Sequence, residues 1–232
     1  MEPYERLLAS ATAEMEDFVS TLGADRVLDV YIGKESRPYR IPESTLSSMS
    51  DIFVKAIKYE HLGIDPPGTL RFSGDDETAW KYLLWWKMKG KVPVCDRNLY
   101  PTEVLSFVRS WILGDKYDIK EFQDDLMVGL LLCLQVSPLH LTTAKVAFDN
   151  MMPSSPLRIL MAEEIAHQIR QTDDPSDFPS ILSWFEGTVG FTAEIIEALD
   201  MYESCGKHLL KRERCVSHRM RFMLGERRWS EG

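Results

Sequence analysis

The chain has 232 residues, of which 44% are hydrophobic and 27% charged, and its formal net charge is −9. This composition excludes a disordered chain, and because no long uncharged apolar run occurs, we expect no membrane-spanning segment. The acidic N-terminus "MEPYERLLAS" lacks the basic start and apolar core of a secretory signal, and the cysteines number only four. We therefore expect reduced thiols and a cytoplasmic or nuclear location.

The first predicted element is an amphipathic helix over residues 4–22, within an N-terminal region that we bound at 1–24. Its apolar residues recur every three or four positions and so share one face. They are Leu8, Ala11, Met15, Phe18 and Leu22.

Strands and short helices follow this first helix. Alternating apolar residues predict strands at 27–33, 37–42 and 68–76, with two short helices between the second strand and the third. Ser44 or Ser47 can cap the first of these helices. Asp76 can cap a longer helix that reaches Lys89 and ends at Gly90.

The triplet Gly114-Asp115-Lys116 is either a catalytic turn or the corner between two helices. A phosphate cradle needs several glycines at a helix start, and Asp115 would repel an anion. We interpret the triplet as a corner, with Asp118 capping the next helix and Glu121 answering that cap. Where the three long helices meet, we expect a core of Leu84, Trp86, Leu105, Ile112 and Phe122.

The pattern after residue 136 is entirely helical, and we treat 137–232 as one C-terminal region. Residues 137–206 hold three basic and eleven acidic residues, whereas residues 207–232 hold eight basic and three acidic ones. Opposite charges attract, so we expect the basic tail to dock on the acidic block through acids such as Glu163, Glu164, Asp173 and Asp174. The predicted fold is therefore α+β and mostly helical, with a small sheet and helical cluster over 25–136.

Candidate chemical sites are few. Cys205, His208, Cys215 and His218 have ligand types that can hold zinc, but on a continuous helix the two pairs would lie about 15 Å apart. No serine lies in a G-x-S-x-G elbow, and Glu163 and Glu164 point to different faces of one helix. We expect no metal, no cofactor and no enzymatic activity. Direct nucleic-acid binding by the tail is not favoured either, because apolar residues interleave with its charges.

Several short patterns, taken in order, resemble the BTB/POZ domain in the form common in fungal proteins. The run "YRIPESTLSSMSDIF" has an aromatic and an "L…S..F" pattern typical of the family at Tyr39, Leu46, Ser50 and Phe53. Trp80, Leu83, Leu84 and Gly90 match its next helix, and Leu113, Asp115, Lys116, Tyr117 and Ile119 match its helix corner. The resemblance covers about residues 15–135, and "SSPLRILMAEEIA" is similar to the segment that follows the domain in fungal members.

The resemblance implies a non-enzymatic protein–protein interaction module or scaffold. Such domains form homodimers, and the N-terminal helix would then offer Leu8, Met15, Phe18 and Leu22 to a partner copy. Others are substrate adaptors that bind a cullin in a ubiquitin ligase, and a transcription-associated regulator with a basic tail is a further alternative. At Asp29 and Glu43, dimeric members have an acid and a base that shape an interface pocket, whereas this chain has two acids. Two like charges argue against a co-repressor peptide pocket there.

Overall fold

The structure is a computed structural model that describes residues 25–35, 37–63, 65–93, 100–171 and 177–205. These residues are mostly helical with a small three-stranded mixed sheet, which confirms the predicted α+β class. The chain divides into two compact units, Met1–Asp75 and Asp76–Gly232. The predicted regions 1–24, 25–136 and 137–232 are a different partition and stay a prediction.

The first unit contains the sheet, two short helices and a 3₁₀ turn. The sheet has the order β2-β1-β3, in which β1 pairs antiparallel with β2 and parallel with β3. In chain order the elements are β1 (Val27–Ile32), β2 (Tyr39–Pro42), α1 (Glu43–Ser47), α2 (Asp51–Lys58), the 3₁₀ turn Glu60–Leu62 and β3 (Thr69–Phe72).

The central strand β1 shows why this segment forms a sheet. Its alternate residues Leu28, Val30 and Ile32 are all fully buried, whereas the residues between them are partly exposed. Since successive side chains of a strand point to opposite faces, one face of the sheet lies on the core of the first unit. The branched Val30 and Ile32 suit this half-buried pleated surface.

The caps of the short helices differ from the prediction. Ser50, rather than Ser44 or Ser47, caps a helix: its hydroxyl oxygen accepts the Ile52 N–H at 3.0 Å, which fixes the start of α2. Ser44 instead donates its hydroxyl to the Asp25 carboxylate at 2.5 Å. The sequence has four serines within seven residues, Ser44, Ser47, Ser48 and Ser50, and the chain direction before α2 decided which one could reach a free N–H.

The second unit is helical throughout its described residues. The helices are α3 (Glu77–Lys89), α4 (Tyr100–Lys116), α5 (Lys120–Val136), α6 (Leu141–Asn150), α7 (Pro156–Gln171), α8 (Asp177–Trp184) and α9 (Phe191–Cys205). Helices α3 and α4 pack together, and α4 also contacts α5 and α6. Helix α6 contacts α7 and α8, and α7 packs along α9.

Both ends of α3 agree with the sequence signals. The Asp76 carboxylate accepts the Ala79 N–H at 2.9 Å, and Gly90 ends the helix with a left-handed φ of 66°. Both signals are local, because a cap uses only groups within one turn of the helix end. The boundaries of α3 were therefore predictable from the sequence.

The triplet Gly114-Asp115-Lys116 belongs to a helix corner, as predicted, but the corner is built differently. Asp118 does not cap α5. It follows α4 with a left-handed φ of 53°, and its N–H donates to the Asp115 carbonyl at 3.2 Å. The Ile119 N–H donates to the Gly114 carbonyl at 2.9 Å, so the two bonds form a Schellman motif. Asp118 thus ends α4, and α5 has no side-chain cap at its start.

Two glycines allow α4 and α5 to approach closely. A Cβ at Gly114 would lie 2.7 Å from Cγ of Gln123, and a Cβ at Gly129 would lie 2.7 Å from Cε1 of Phe107. Each helix therefore supplies one glycine that receives a side chain of the other. The ring of Phe107 is less able to move aside than the flexible Gln123, so Gly129 is the stricter requirement.

The residues that are buried in the helical core differ from the predicted ones by about one position along the chain. Phe122 is fully buried, but Leu84, Trp86, Leu105 and Ile112 are only partly buried. The buried residues of α3 and α4 include Trp80, Leu83, Val108 and Trp111, each at 1% exposure or less. The apolar surface of α3 is wide, so the sequence period alone does not define which line of residues faces inward.

Candidate interaction surface

Asp29 lies on the outer side of the sheet beside an arginine of the neighbouring strand. It stands opposite Arg40 in the β1–β2 register, and the two side chains form an ion pair at 3.8 Å. The side chain of Asp29 is 49% exposed. This carboxylate is therefore solvated and has a cation beside it. The presence of an acid at position 29 did not by itself indicate that neighbouring cation.

Glu43 has its own cation, Arg26. The Arg26 Nε lies 2.6 Å from a carboxylate oxygen of Glu43, and its Nη1 lies 2.5 Å from Glu60. These hydrogen bonds raise the pKa of Arg26 above its ordinary value, and the bond to Glu60 contributes most. Asp29 and Glu43 are thus not a pair of buried like charges, because each is partly exposed and stands beside its own arginine.

The other predicted interaction residues, Leu8, Met15, Phe18 and Leu22, lie outside the described residues. The predicted seam for a second copy therefore stays a prediction. The basic tail also lies outside the described residues, and so do its predicted partners Asp173 and Asp174. The predicted partners Glu163 and Glu164 are described. Both of these are on α7 and are buried, at 5% and 8% exposure.

Large apolar side chains are exposed in and directly after α2. Helix α2 buries only Phe53 and Ile57, while Ile52 and Val54 are 39% and 43% exposed on either flank of that buried side. Tyr59, directly after the helix, is 52% exposed, and Leu62 in the 3₁₀ turn is 74% exposed. Exposed apolar side chains of this size are of the kind that proteins use for contacts with other proteins.

Helix α3 presents a second exposed surface, and its three tryptophans have three different environments. Trp80 is fully buried and packs edge-on against Tyr117. Trp86 is partly buried and donates its indole N–H to Asp125 at 2.7 Å. Trp85 is 46% exposed, next to Met88 at 78%. The sequence favoured core positions for all three, and only two contribute to packing in this way.

Tyr82 lies on the flank of α3 that packs against α4. Its ring packs edge-on against Phe107 with centroids 5.5 Å apart. Burial, followed by the nearby Glu103 carboxylate, raises the pKa of Tyr82 above its usual value, because both disfavour the phenolate. Tyr82 is thus a neutral packing residue at ordinary pH.

A buried ion pair joins α7 to α9. The side chains of Arg158 and Glu194 are 2% and 7% exposed, and Nη2 of Arg158 lies 2.5 Å from Glu194. The other carboxylate oxygen of Glu194 accepts the Ser154 N–H at 2.6 Å. Arg158 is the arginine of the "SSPLR" segment, so the most specific pattern of the C-terminal region has a structural role that the sequence did not reveal.

The neighbouring pocket between α7 and α9 is small, about 80 Å³, and its lining includes Glu163, Glu194, Glu197 and Met201. Of the three glutamates that line this pocket, Glu194 is ion-paired with Arg158.

In the described part of the chain, no three His, Cys, Asp or Glu side chains lie close enough together to hold a metal ion. The side chains of Cys205, His208, Cys215 and His218 lie outside that part. None of the helices in the described ranges is both long and apolar enough to cross a membrane.

The structure describes the side chain of one of the four cysteines. Cys133 lies on α5 and is 1% exposed. The reduced thiols expected from the cysteine count stay a prediction. The side chains of the other three cysteines lie outside the described residues, and the predicted compartment stays a prediction.

Comparisons of the chain with protein-family models, with curated proteins and with solved structures found no significant match.

Proposed function

We propose that this chain is a non-enzymatic protein–protein interaction scaffold of the BTB/POZ type that forms a homodimer. The observation that carries the proposal is the exposure of four large apolar side chains in and directly after α2, namely Ile52, Val54, Tyr59 and Leu62. An apolar surface of this kind favours burial against another protein, because each covered side chain leaves water.

Two further observations support the proposal. The order of elements, two strands, two short helices, a strand and then three long helices with a corner, is that expected from the resemblance. In addition, Asp29 and Glu43 lie on the surface beside arginines, where charged side chains can set the register of a protein interface.

The mass in solution tests this proposal. At micromolar concentration we expect light scattering to give about twice 26.7 kDa, since a two-fold dimer is the commonest closed assembly. Deleting residues 1–22 removes the predicted seam and should lower the mass towards that of one chain. A mass of one chain at every concentration would contradict the homodimer.

A pair of matched variants asks whether the face of α2 takes part. Ile52→Lys places a charge on this face and should weaken the dimer, whereas Ile196→Lys changes an isoleucine of α9 that is 54% exposed and should leave the mass unchanged. Equal masses for both variants would show that the contact lies elsewhere. Binding of a purified cullin N-terminal region by a monomer would identify the adaptor alternative instead, and salt-sensitive binding of duplex DNA would identify the transcription-associated one.

A further inference from the structure

We infer that the outer face of α3 binds an acidic peptide segment of a partner protein, in which Asp or Glu side chains flank an apolar anchor. This inference rests on the proposed function and names the chemistry of one partner. It concerns Trp85, Met88 and the lysines around them, which are distinct from the α2 face proposed to contact a second copy.

The centre of this surface is apolar. Trp85 and Met88 are three positions apart on the helix and therefore lie side by side, at 46% and 78% exposure. Tryptophan is among the residues most enriched at interface hot spots, and methionine adapts its shape to different partners. An apolar side chain of a peptide could cover both.

Lysines flank this apolar centre. Residues 81–91 contain four lysines and no acid, and two of them, Lys81 and Lys89, lie four positions before and after Trp85 and therefore on its side of the helix. The Nζ of Lys89 lies 5.8 Å from the centroid of the Trp85 ring, so the cation and the ring present one continuous surface. Lys81 also pairs with Glu77, at 2.5 Å. Carboxylates that flank an apolar anchor complement this arrangement in charge.

The surface is held rigidly from behind. Ala79, Trp80 and Leu83 on the opposite face of α3 are fully buried, and the helix is capped at both ends by Asp76 and Gly90. A preorganised surface loses little conformational entropy on binding, which favours a short ligand that supplies few contacts.

The charge of the whole chain favours a peptide over a nucleic acid. Lysines beside a tryptophan would also suit a phosphate backbone, but the net charge of −9 repels a long polyanion. A short acidic peptide meets only the local positive charge. The peptide is therefore the ligand that this surface fits, and nucleic acid is the competing outcome of the test.

Three pools of 12-residue peptides test the inference on the full chain. Each pool randomises the order of Leu, Phe and Met among polar positions, which are Asp and Glu in the first pool, Asn and Gln in the second, and Lys and Arg in the third. We expect the immobilised protein to retain the first pool best and to lose it as salt is raised. Equal retention of the first two pools would overturn the inference, because the lysines would then contribute nothing.

Matched variants locate the binding. Trp85→Ala and Met88→Ala should each weaken binding of a selected acidic peptide by about tenfold, and Lys89→Glu should do so most at low salt. The controls are Trp184→Ala and Met152→Ala, since Trp184 is 51% and Met152 is 78% exposed elsewhere in the same unit. Equal losses in the controls would overturn the inference.

Competition by single-stranded DNA separates the two ligand classes. If a 12-nucleotide DNA displaced the peptide and bound more tightly, the face would be a nucleic-acid surface and the inference would be wrong. The mass measurement is independent of all these results. A dimer that binds no acidic peptide refutes only this inference, and a monomer that binds one refutes only the homodimer.

Discussion

Arg26 and Arg158 both bind carboxylates, but they do so in very different surroundings. The side chain of Arg26 in the first unit is 46% exposed and connects Glu43, at 35% exposure, with Glu60, at 8%. The side chain of Arg158 in the second unit is 2% exposed and pairs with an equally hidden Glu194. The same chemical pair thus contributes to the surface in one unit and to the core in the other.

The difference lies in how many donors must be satisfied. Water can solvate any donor of Arg26 that lacks a protein partner, whereas Arg158 must find its partners within the protein. All five of its N–H donors do so, on Glu194 and on the carbonyl oxygens of Phe148, Met151 and Val189. Arg158 therefore fixes the end of α6 and the turn before α9, and we expect burial to set the size of each mutational effect.

The largest expected effect is that of Arg158→Met. It leaves the Glu194 carboxylate buried without its cation and removes five hydrogen bonds, so the free energy of unfolding should fall by about 3–5 kcal/mol. Urea denaturation followed by circular dichroism measures this change. The double variant Arg158→Met/Glu194→Leu should recover part of the loss, because no buried charge remains. A loss below about 1 kcal/mol in the single variant would refute the role given to Arg158.

The next effect contrasts two neighbouring leucines of α3. Leu83 is fully buried and Leu84 only partly so, although the predicted core contained Leu84 and not Leu83. Leu83→Ala should lower the free energy of unfolding by about 2–5 kcal/mol through lost burial and the cavity it leaves. Leu84→Ala should cost clearly less in the same urea experiment. The reverse order would mean that α3 is rotated from the position described.

The smallest effect is expected at Arg26. Arg26→Met should lower the free energy of unfolding by less than Arg158→Met does, because Arg26 is itself 46% exposed and water reaches its ion pair with Glu43, although Glu60, at 8% exposure, also loses its cation. Raising the salt concentration from low to high should shrink even this difference, since salt screens exposed charges. Arg158→Met, measured alongside, should keep its effect at both concentrations. A large, salt-independent loss for Arg26→Met would abolish the contrast between the two arginines.

A good part of the fold was predictable because its signals are local. The alternation of Leu28, Val30 and Ile32 indicated a strand with one buried face, and this is what the sheet contains. Asp76 and Gly90 marked both ends of α3 to within one residue. Such signals depend on side chains and backbone groups within about one helical turn or a few strand residues, so they can be read without knowing the rest of the chain.

The candidate surface was less predictable because its signals are not local. The sequence "LLWWKM" shows that α3 is apolar over much of its circumference, but Trp80, Trp85 and Trp86 are equally apolar as residues. Their different exposures depend on where α4 and α5 pack against the helix. Asp118 is a similar case, since an Asp beside a helix corner can cap the following helix or end the preceding one.

Periodicity and caps along short stretches of chain were enough to predict the α+β class, the order of strands and helices and the capped helix α3. The packing of the helices was needed to show that Trp85 lies outside, that Asp118 ends α4 and that Arg158 pairs with Glu194. The last two residues are 36 positions apart, and no local pattern marks them as partners. Their pairing follows from the packing of α7 on α9, where a buried guanidinium is stable only with a carboxylate and backbone carbonyls around it.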